Sequence, residues 1–265
     1  MYMEQIFASD TAIVTGGTRG IGWAVANQLV DRGARVLLVG RNPHQLEQRV
    51  QELNQKVPEH AFGFACDMAE QPDSSKQITE YALKMIGRPT LLLNGAGGAS
   101  VTHALDAPWT LWVDDFEVKF FGYLAMTRAI LPIMMEQRRG VIVNLVGIAG
   151  KDPNPALAIA SAVNGALNGV MKVLADDASA YDVRIVNVNP GATQTDLLTA
   201  MAKAHATESK KNIGEVLDEM RAKSPLKRLP GPMDIARIVI FLMSSDSQFV
   251  TGTSIDVDGG IHRGV

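Results

Sequence analysis

The sequence predicts an α/β fold in three layers, with helices covering both faces of a doubly wound parallel sheet. Three observations predict it. Short apolar runs without polar alternation recur along the chain, as strands buried on both faces must read. Segments with helical spacing separate these runs and set up a βαβ period. A glycine-rich turn stands between the first run and the first helix, where such folds bind phosphate.

Taken in order, TAIVT (Thr11 to Thr15) is a strand running into glycines, and IGWAVANQLVDRG is a helix stopped by Gly33. ARVLLVG is the second strand, PHQLEQRVQELNQK a polar-rich helix, and AFGFACD the third strand. KQITEYALKMIG forms a helix that ends near Gly87, and TLLLNGAGG a fourth strand dissolving into a glycine loop. A long helix follows from about Thr110 to Arg138, kinked at Pro132, and GVIVNLVG is the fifth strand. A second long helix is expected from about Pro155 to Ala180, leading into VRIVNVNPG as the sixth strand. LPGPMDIARIVIFLMSS is the last helix and TSIDVDGG the closing strand. Residues 195–231 break the rhythm with amphipathic pieces such as NIGEVLDEMRAK, and their place after a strand's carboxyl end suits a lid over a cleft, with a surface excursion as the alternative. With no repeat or linker in view, residues 1–265 read as one domain.

Composition narrows the function classes. The 25 basic and 28 acidic residues are interspersed and sum to −3, so no basic surface for nucleic acid is expected. Cys66 is the single cysteine and has no internal disulfide partner. The start MYMEQIFASD lacks a basic stretch followed by an apolar run, and no uninterrupted apolar segment reaches the roughly 18 residues of a membrane helix. A cytoplasmic protein with neither membrane nor nucleic-acid partner is the expectation. His103, His205 and His262 are too scattered for a zinc site, so no metal is expected.

TGGTRGIG, from Thr15 to Gly22, has the context of a dinucleotide phosphate loop. Gly16, Gly20 and Gly22 allow a tight turn and close backbone approach, with Thr18, Arg19 and Ile21 completing the loop at a helix N-terminus. The second strand ends in Gly40 and Arg41 rather than in a carboxylate for an adenosine ribose. Arg19 and Arg41 suit a 2'-phosphate, which favours NADP(H) over NAD(H); the alternative is a pair of solvated surface groups. Asp67 and Met68, after the third strand, are placed either to flank the adenine or to cap the strand end.

From Thr11 to about Gly260 the chain resembles the short-chain dehydrogenase/reductase family. The resemblance rests on TGGTRGIG, on NGAG (Asn94 to Gly97), on NPGATQT (Asn189 to Thr195) and on LKRLPGPMDIARIVIFLMSSDSQFVTGTSIDVDGG. It implies a Rossmann fold with a seven-stranded parallel sheet, and an oxidoreductase acting on a small carbonyl or alcohol. It also implies a homodimer or homotetramer joined through the two long helices and the C-terminal region. Carried onto this chain, it brings Asn94, Gly95, Ala96, Gly97, Pro190, Gly191, Thr193 and Thr195 to the cofactor.

The same resemblance exposes four departures. Gly147 stands where the family has a substrate-orienting serine, and Ala160 where it has a tyrosine acid or base. Asn164 replaces the lysine that supports that tyrosine and the nicotinamide ribose, and Lys119 replaces an asparagine of a water relay. Ala160 has no ionisable proton and Asn164 no charge, so ordinary family catalysis is expected to be absent or altered. Lys119 is the leading replacement, as proton donor, electrostatic stabiliser or nucleophile, or as a charge crossing toward Asn164. Its alternative is an ammonium reaching solvent or Asp115. Ser161 is the next candidate, with a bond back to a helix carbonyl as its alternative, and Asn164 either contacts the ribose or packs between helices. Of Tyr2, Tyr81, Tyr123 and Tyr181, only Tyr123 falls in a helix bordering the expected cleft. Three accounts stay open: an NADP(H) oxidoreductase with unconventional proton transfer, a noncatalytic binding, regulatory or structural member of the fold, and a lyase, dehydratase or isomerase using the altered cleft.

Overall fold

The computed structural model describes residues 5–264, so Tyr2 lies outside the described residues. Strands β1 (Thr11–Thr15), β2 (Arg35–Gly40), β3 (Ala61–Ala65), β4 (Leu91–Asn94), β5 (Gly140–Leu145), β6 (Val183–Pro190) and β7 (Ser254–Val257) form one sheet, ordered β3-β2-β1-β4-β5-β6-β7. Every pairing is parallel. The order reverses between β1 and β4, which opens a crevice at their carboxyl ends.

The helices are α1 (Gly20–Asp31), α2 (Pro43–Lys56), α3 (Asp73–Met85), α4 (Trp109–Asp115), α5 (Gly122–Glu136), α6 (Ala158–Ser179), α7 (Asp196–Ser209), α8 (Ile213–Lys223) and α9 (Pro232–Met243). Alternate residues of each strand explain the three layers. Val14, Leu38, Leu93, Val143 and Val186 join the core under α1, α2 and α9. Ile13, Leu37, Leu92, Ile142 and Ile185 join a second core under α3, α5 and α6. Both faces are thus dry, and the strands read as continuous apolar runs. Local signals set the helix ends: Asn42 accepts from the Gln45 amide at 3.0 Å to start α2, and Gly33 at φ 93° closes α1.

The first long helix departs from the expected continuous rod. A π-helical stretch, Phe116–Phe121, separates α4 from α5, whereas Pro132 sits inside α5 without ending it. The second long helix begins at Ala158, three residues later than expected, because Leu157 bridges to Thr102. The Trp109–Glu136 and Ala158–Ser179 helices are each long and apolar enough to cross a membrane. Counting uninterrupted apolar residues missed this, since scattered polar residues break the run. Their buried side chains belong to the second core, packed on the sheet.

The expected lid region folds as α7 and α8, joined by a small core of Ala202, Ala206 and Val216. Thr195 caps α7, and Asn212 with Glu215 makes a reciprocal capping box on α8.

One polar feature crosses the second core. Asn94, Asn144 and Asn187 are register partners on β4, β5 and β6. Asn94 donates to Asn144 at 2.8 Å and Asn144 to Asn187 at 2.9 Å. Asn187 donates to Asn168 of α6 at 3.1 Å, and Asn94 also donates to Thr127 of α5 at 3.2 Å. Asn144 is fully buried, so Asn144→Ala removes one acceptor and one donor where water cannot replace them. Each lost partner costs about 1–3 kcal/mol, and urea titration is expected to show a loss of about 2–4 kcal/mol with an unchanged slope. A loss below about 0.5 kcal/mol would contradict this role of the ladder.

Candidate active site

The glycine loop after β1 is held against the loop after β4. Gly16 has φ 66°, and a Cβ there would lie 2.5 Å from the Gly95 carbonyl oxygen. A Cβ on Gly22 would lie 2.3 Å from the Gly16 carbonyl oxygen. Both positions therefore require glycine, and the result is the close backbone cradle that a pyrophosphate needs. Thr15, absent from the residues picked out in the sequence, ties the two loops together. Its hydroxyl donates to the Leu93 carbonyl at 3.3 Å and accepts from the Gly95 and Ala96 amides at 3.0 and 3.3 Å. The available signal was a hydroxyl at the last position of a buried strand.

Thr18 is buried, with its methyl side against Gly40, while Arg49 donates to the Thr18 carbonyl at 3.1 Å. The Arg49 guanidinium also stacks over Trp23 at 4.5 Å, a support with no local sequence signal. Ile21 packs on the α1 side of the sheet. The Arg19 and Arg41 side chains are exposed, and neither makes an ion pair or hydrogen bond among the described residues. Asp67 accepts from the Ala69 amide at 3.0 Å and so forms the strand-end turn. The Met68 side chain is 3% exposed and lies in the core, against the start of α5 at Gly122, which leaves its backbone at the strand end.

On the far side of the crevice, the Gly191 amide donates to the Val257 carbonyl at 3.1 Å. A Cβ on Gly191 would lie 2.9 Å from the Asp258 Cα, which fixes the turn after Pro190. Thr193 donates to the Gly191 carbonyl and Thr195 to the Thr193 carbonyl, at 3.0 and 3.2 Å. Gly20, at φ 56°, faces Thr195: an added Cβ would lie 3.3 Å from its methyl carbon. The phosphate loop and the start of α7 therefore meet across the crevice.

The chemistry-bearing side chains gather where β5 ends. Lys119 Nζ donates to the Val146 carbonyl at 2.5 Å and to Asn164 Oδ1 at 2.7 Å. Asn164 Nδ2 donates to the Gly147 carbonyl at 3.4 Å. Tyr123 donates to the Leu145 carbonyl at 3.2 Å. Three consecutive carbonyls are thus taken by three side chains from two helices. Lys119 lies in the π-helical stretch, and its stem runs under Gly97, whose φ of 128° and missing side chain leave the room.

Burial pulls the Lys119 ammonium down to about 8, against the opposing charge of Asp115 one turn earlier. The two hydrogen bonds to oxygen keep the charged form favourable at neutral pH. Tyr123 is 1% exposed, and burial raises its phenol well above the ordinary value, so it is no replacement acid. The Ser161 hydroxyl donates to the Leu157 carbonyl at 2.9 Å and accepts from the Asn154 amide at 3.3 Å. Those bonds secure the loop before α6 and leave Ser161 outside the Lys119 cluster. Ala160 is 5% exposed, and Gly147 at φ 113° leaves space for the Asn164 amide: an added Cβ would lie 3.0 Å from Nδ2. Burial also raises the Cys66 thiol, which argues against a nucleophile there. Among the described residues no group of three or more His, Cys, Asp or Glu is placed to hold a metal ion.

Comparison with known proteins agrees with this architecture. The family model described as Enoyl-(Acyl carrier protein) reductase matches residues 16–262. The 2-(S)-hydroxypropyl-CoM dehydrogenase 3 of Xanthobacter autotrophicus is 32% identical, over 98% of this chain and 99% of its own length. The 2,3-dihydro-2,3-dihydroxybenzoate dehydrogenase of Bacillus subtilis is 31% identical over 96% of each chain. Among solved structures, L-sorbose reductase from Gluconobacter frateurii, complexed with NADPH and L-sorbose, superposes with a TM-score of 0.92 at 25% identity. That similarity covers 99% of this chain and 100% of the reductase. The sheet order, the glycine cradle and these full-length matches together make this chain a member of the short-chain dehydrogenase/reductase family of Rossmann-fold oxidoreductases.

Proposed function

We propose that this chain is an NADP(H)-dependent oxidoreductase acting on a small carbonyl or alcohol, with Lys119 rather than a tyrosine handling the proton. The observation that carries the reading is the Lys119 ammonium held at the carboxyl end of β5 beside Asn164. The glycine cradle fits a dinucleotide, since side chains at Gly16 and Gly22 would fill it with atoms 2.5 and 2.3 Å from backbone oxygens. Loop amides behind these glycines would hold the pyrophosphate, and Arg19 and Arg41 a 2'-phosphate. Thr193, Thr195 and the segment from Asn94 to Gly97 would border the nicotinamide half. When bound, NADP(H) supplies or accepts the hydride.

An ammonium has three protons, and two of those on Lys119 already go to Val146 and Asn164. The third remains for an oxygen in the crevice. In reduction, Lys119 would give that proton to the oxygen that becomes the alcohol, leaving a neutral amine. In oxidation, the neutral amine would take the alcohol proton. With a pKa of about 8, Lys119 is a strong enough acid to protonate an alkoxide and a usable base a little above neutrality. Ala160 and Gly147 offer no proton, and the Ser161 hydroxyl is engaged by Leu157 and Asn154.

A noncatalytic member of the fold is the second reading. It is favoured by the Lys119 bonds to the chain's own acceptors, which also serve to tie the β5 loop to α6.

Calorimetry is expected to show NADPH binding in preference to NADH, with Arg19→Ala and Arg41→Ala each weakening NADPH by about tenfold while leaving NADH little changed. Equal affinity for both nucleotides, or none, would contradict the cofactor assignment. In a panel of small aldehydes and ketones, Lys119→Met is expected to lower turnover by roughly 10²–10⁴ with NADPH affinity kept. Reduction needs the charged form, so its rate is expected to be full below about 8 and to fall as pH rises through it, with oxidation showing the opposite limb. Undiminished turnover by the folded variant would remove Lys119 from the chemistry. Absence of turnover in the unaltered chain with NADPH bound would favour the noncatalytic reading.

A further inference from the structure

We infer that Asn164 is a positioning residue: its carboxamide clamps Lys119 to the loop after β5 and aims the remaining Lys119 proton into the crevice. The inference rests on the proposed role of Lys119 for its catalytic consequence, but its geometric content stands alone. Asn164 uses both ends of its amide. Oδ1 accepts from Lys119 Nζ at 2.7 Å, and Nδ2 donates to the Gly147 carbonyl at 3.4 Å. Lys119 closes the ring on the preceding residue, donating to the Val146 carbonyl at 2.5 Å. Two adjacent carbonyls and one amide therefore fix two of the three ammonium protons, and tetrahedral geometry fixes the direction of the third.

The surroundings leave the amide little freedom. Asn164 is 3% exposed, an added Cβ on Gly150 would lie 2.7 Å from the Asn164 Cβ, and one on Gly147 would lie 3.0 Å from Nδ2. Glycine at 147 and at 150 is thus what admits an inward-facing amide at 164. A serine restored at 147 would press on this amide before it could orient any substrate.

Few charges face the ammonium. Among the described residues, Asp115, on the preceding turn of its own helix, is the charged group that acts on it. Of its neighbours, the β4 loop presents Gly97, the β5 loop presents Val146 and Gly147, and α6 presents Asn164, none of them ionisable. Tyr123, on the next turn, is buried and neutral. The Asn164 side chain is therefore the place where a single atom change reaches Lys119 directly.

The test uses the full-length chain with Asn164→Asp and Asn164→Leu. The titration of Lys119 is read from the pH dependence of its acetylation rate by acetic anhydride, quantified by peptide mass spectrometry, with neither cofactor nor substrate present. Aspartate puts a carboxylate against Nζ and is expected to raise the Lys119 titration by about one to three pH units. Leucine removes the acceptor and is expected to lower it and to speed acetylation at neutral pH. Where turnover is measurable, the upper pH limit of reduction is expected to move in the same direction as the titration. A titration that stays put in both variants, with circular dichroism matching the unaltered chain, would overturn the inference. Because Leu at 164 is similar in size to Asn and introduces no charge, it keeps the test decisive if Asp prevents folding. A shifted titration in a chain without turnover would uphold the clamp and count only against the oxidoreductase reading; turnover whose pH limit ignores both variants would do the reverse.

Discussion

The row of amides from Asn94 through Asn144 to Asn187 is the constraint on which the crevice depends. A parallel sheet covered on both faces has no water at hand to satisfy polar groups near its strand ends. Here three register-matched asparagines bond to one another across β4, β5 and β6, leaving only the Asn94 Oδ1 at the end of the row without a partner among the described residues, and helix α6 joins in through Asn168. The loops that shape the crevice leave the sheet directly from these positions. Asn94 leads into Gly95 and Ala96, Asn144 precedes the Leu145 to Gly147 turn, and Asn187 lies three residues before Pro190. Thr15 extends the same logic to β1 by holding the amides of Gly95 and Ala96. A slip of any of these strands would break the amide pairing and spread the walls of the crevice.

On that frame the charge sits in an uncommon place. An isolated ammonium in a core would be costly, and lysine normally avoids burial. Lys119 is tolerated because its proton donors meet oxygens that are already fixed, one on the β5 loop and one on Asn164. The π-helical stretch from Phe116 to Phe121 gives the helix an extra residue in its turn and aims Lys119 at that loop, while Tyr123 anchors the next turn to Leu145. On the proposed reading, a polar pair of lysine and asparagine is kept beside the cofactor while the helix that contributes the charge has changed. Family membership accounts for the fold; on the same proposed reading, the identity of the charged helix is what would set the chemistry apart.

The strands, the glycine loop and the general order of elements were legible because they follow from local patterns: apolar runs, helical spacing and turn glycines. The π-helical break was not, since Phe116 to Phe121 has ordinary helical residues and the break follows from where Lys119 and Tyr123 must reach. The burial of the Met68 side chain under α5 was not legible, because a residue that follows a strand carries no local sign that its side chain folds back into the core. Thr15 and the Asn144 ladder went unnoticed because a polar residue within an apolar strand shows its purpose only when its register partner is known. Lys119 and Asn164 were each conspicuous, but the 2.7 Å contact between them is a property of two helices meeting at one loop.

The measurement that tests the central claim most directly is a crystal structure of the chain with NADP+ bound. The account predicts the dinucleotide along the Gly16 to Gly22 loop, its 2'-phosphate between Arg19 and Arg41, and the Lys119 ammonium still on Val146 and Asn164 with its third proton facing the nicotinamide side of the crevice. A structure in which NADP+ binds but Lys119 turns from the nicotinamide into packing or toward Asp115 would contradict it.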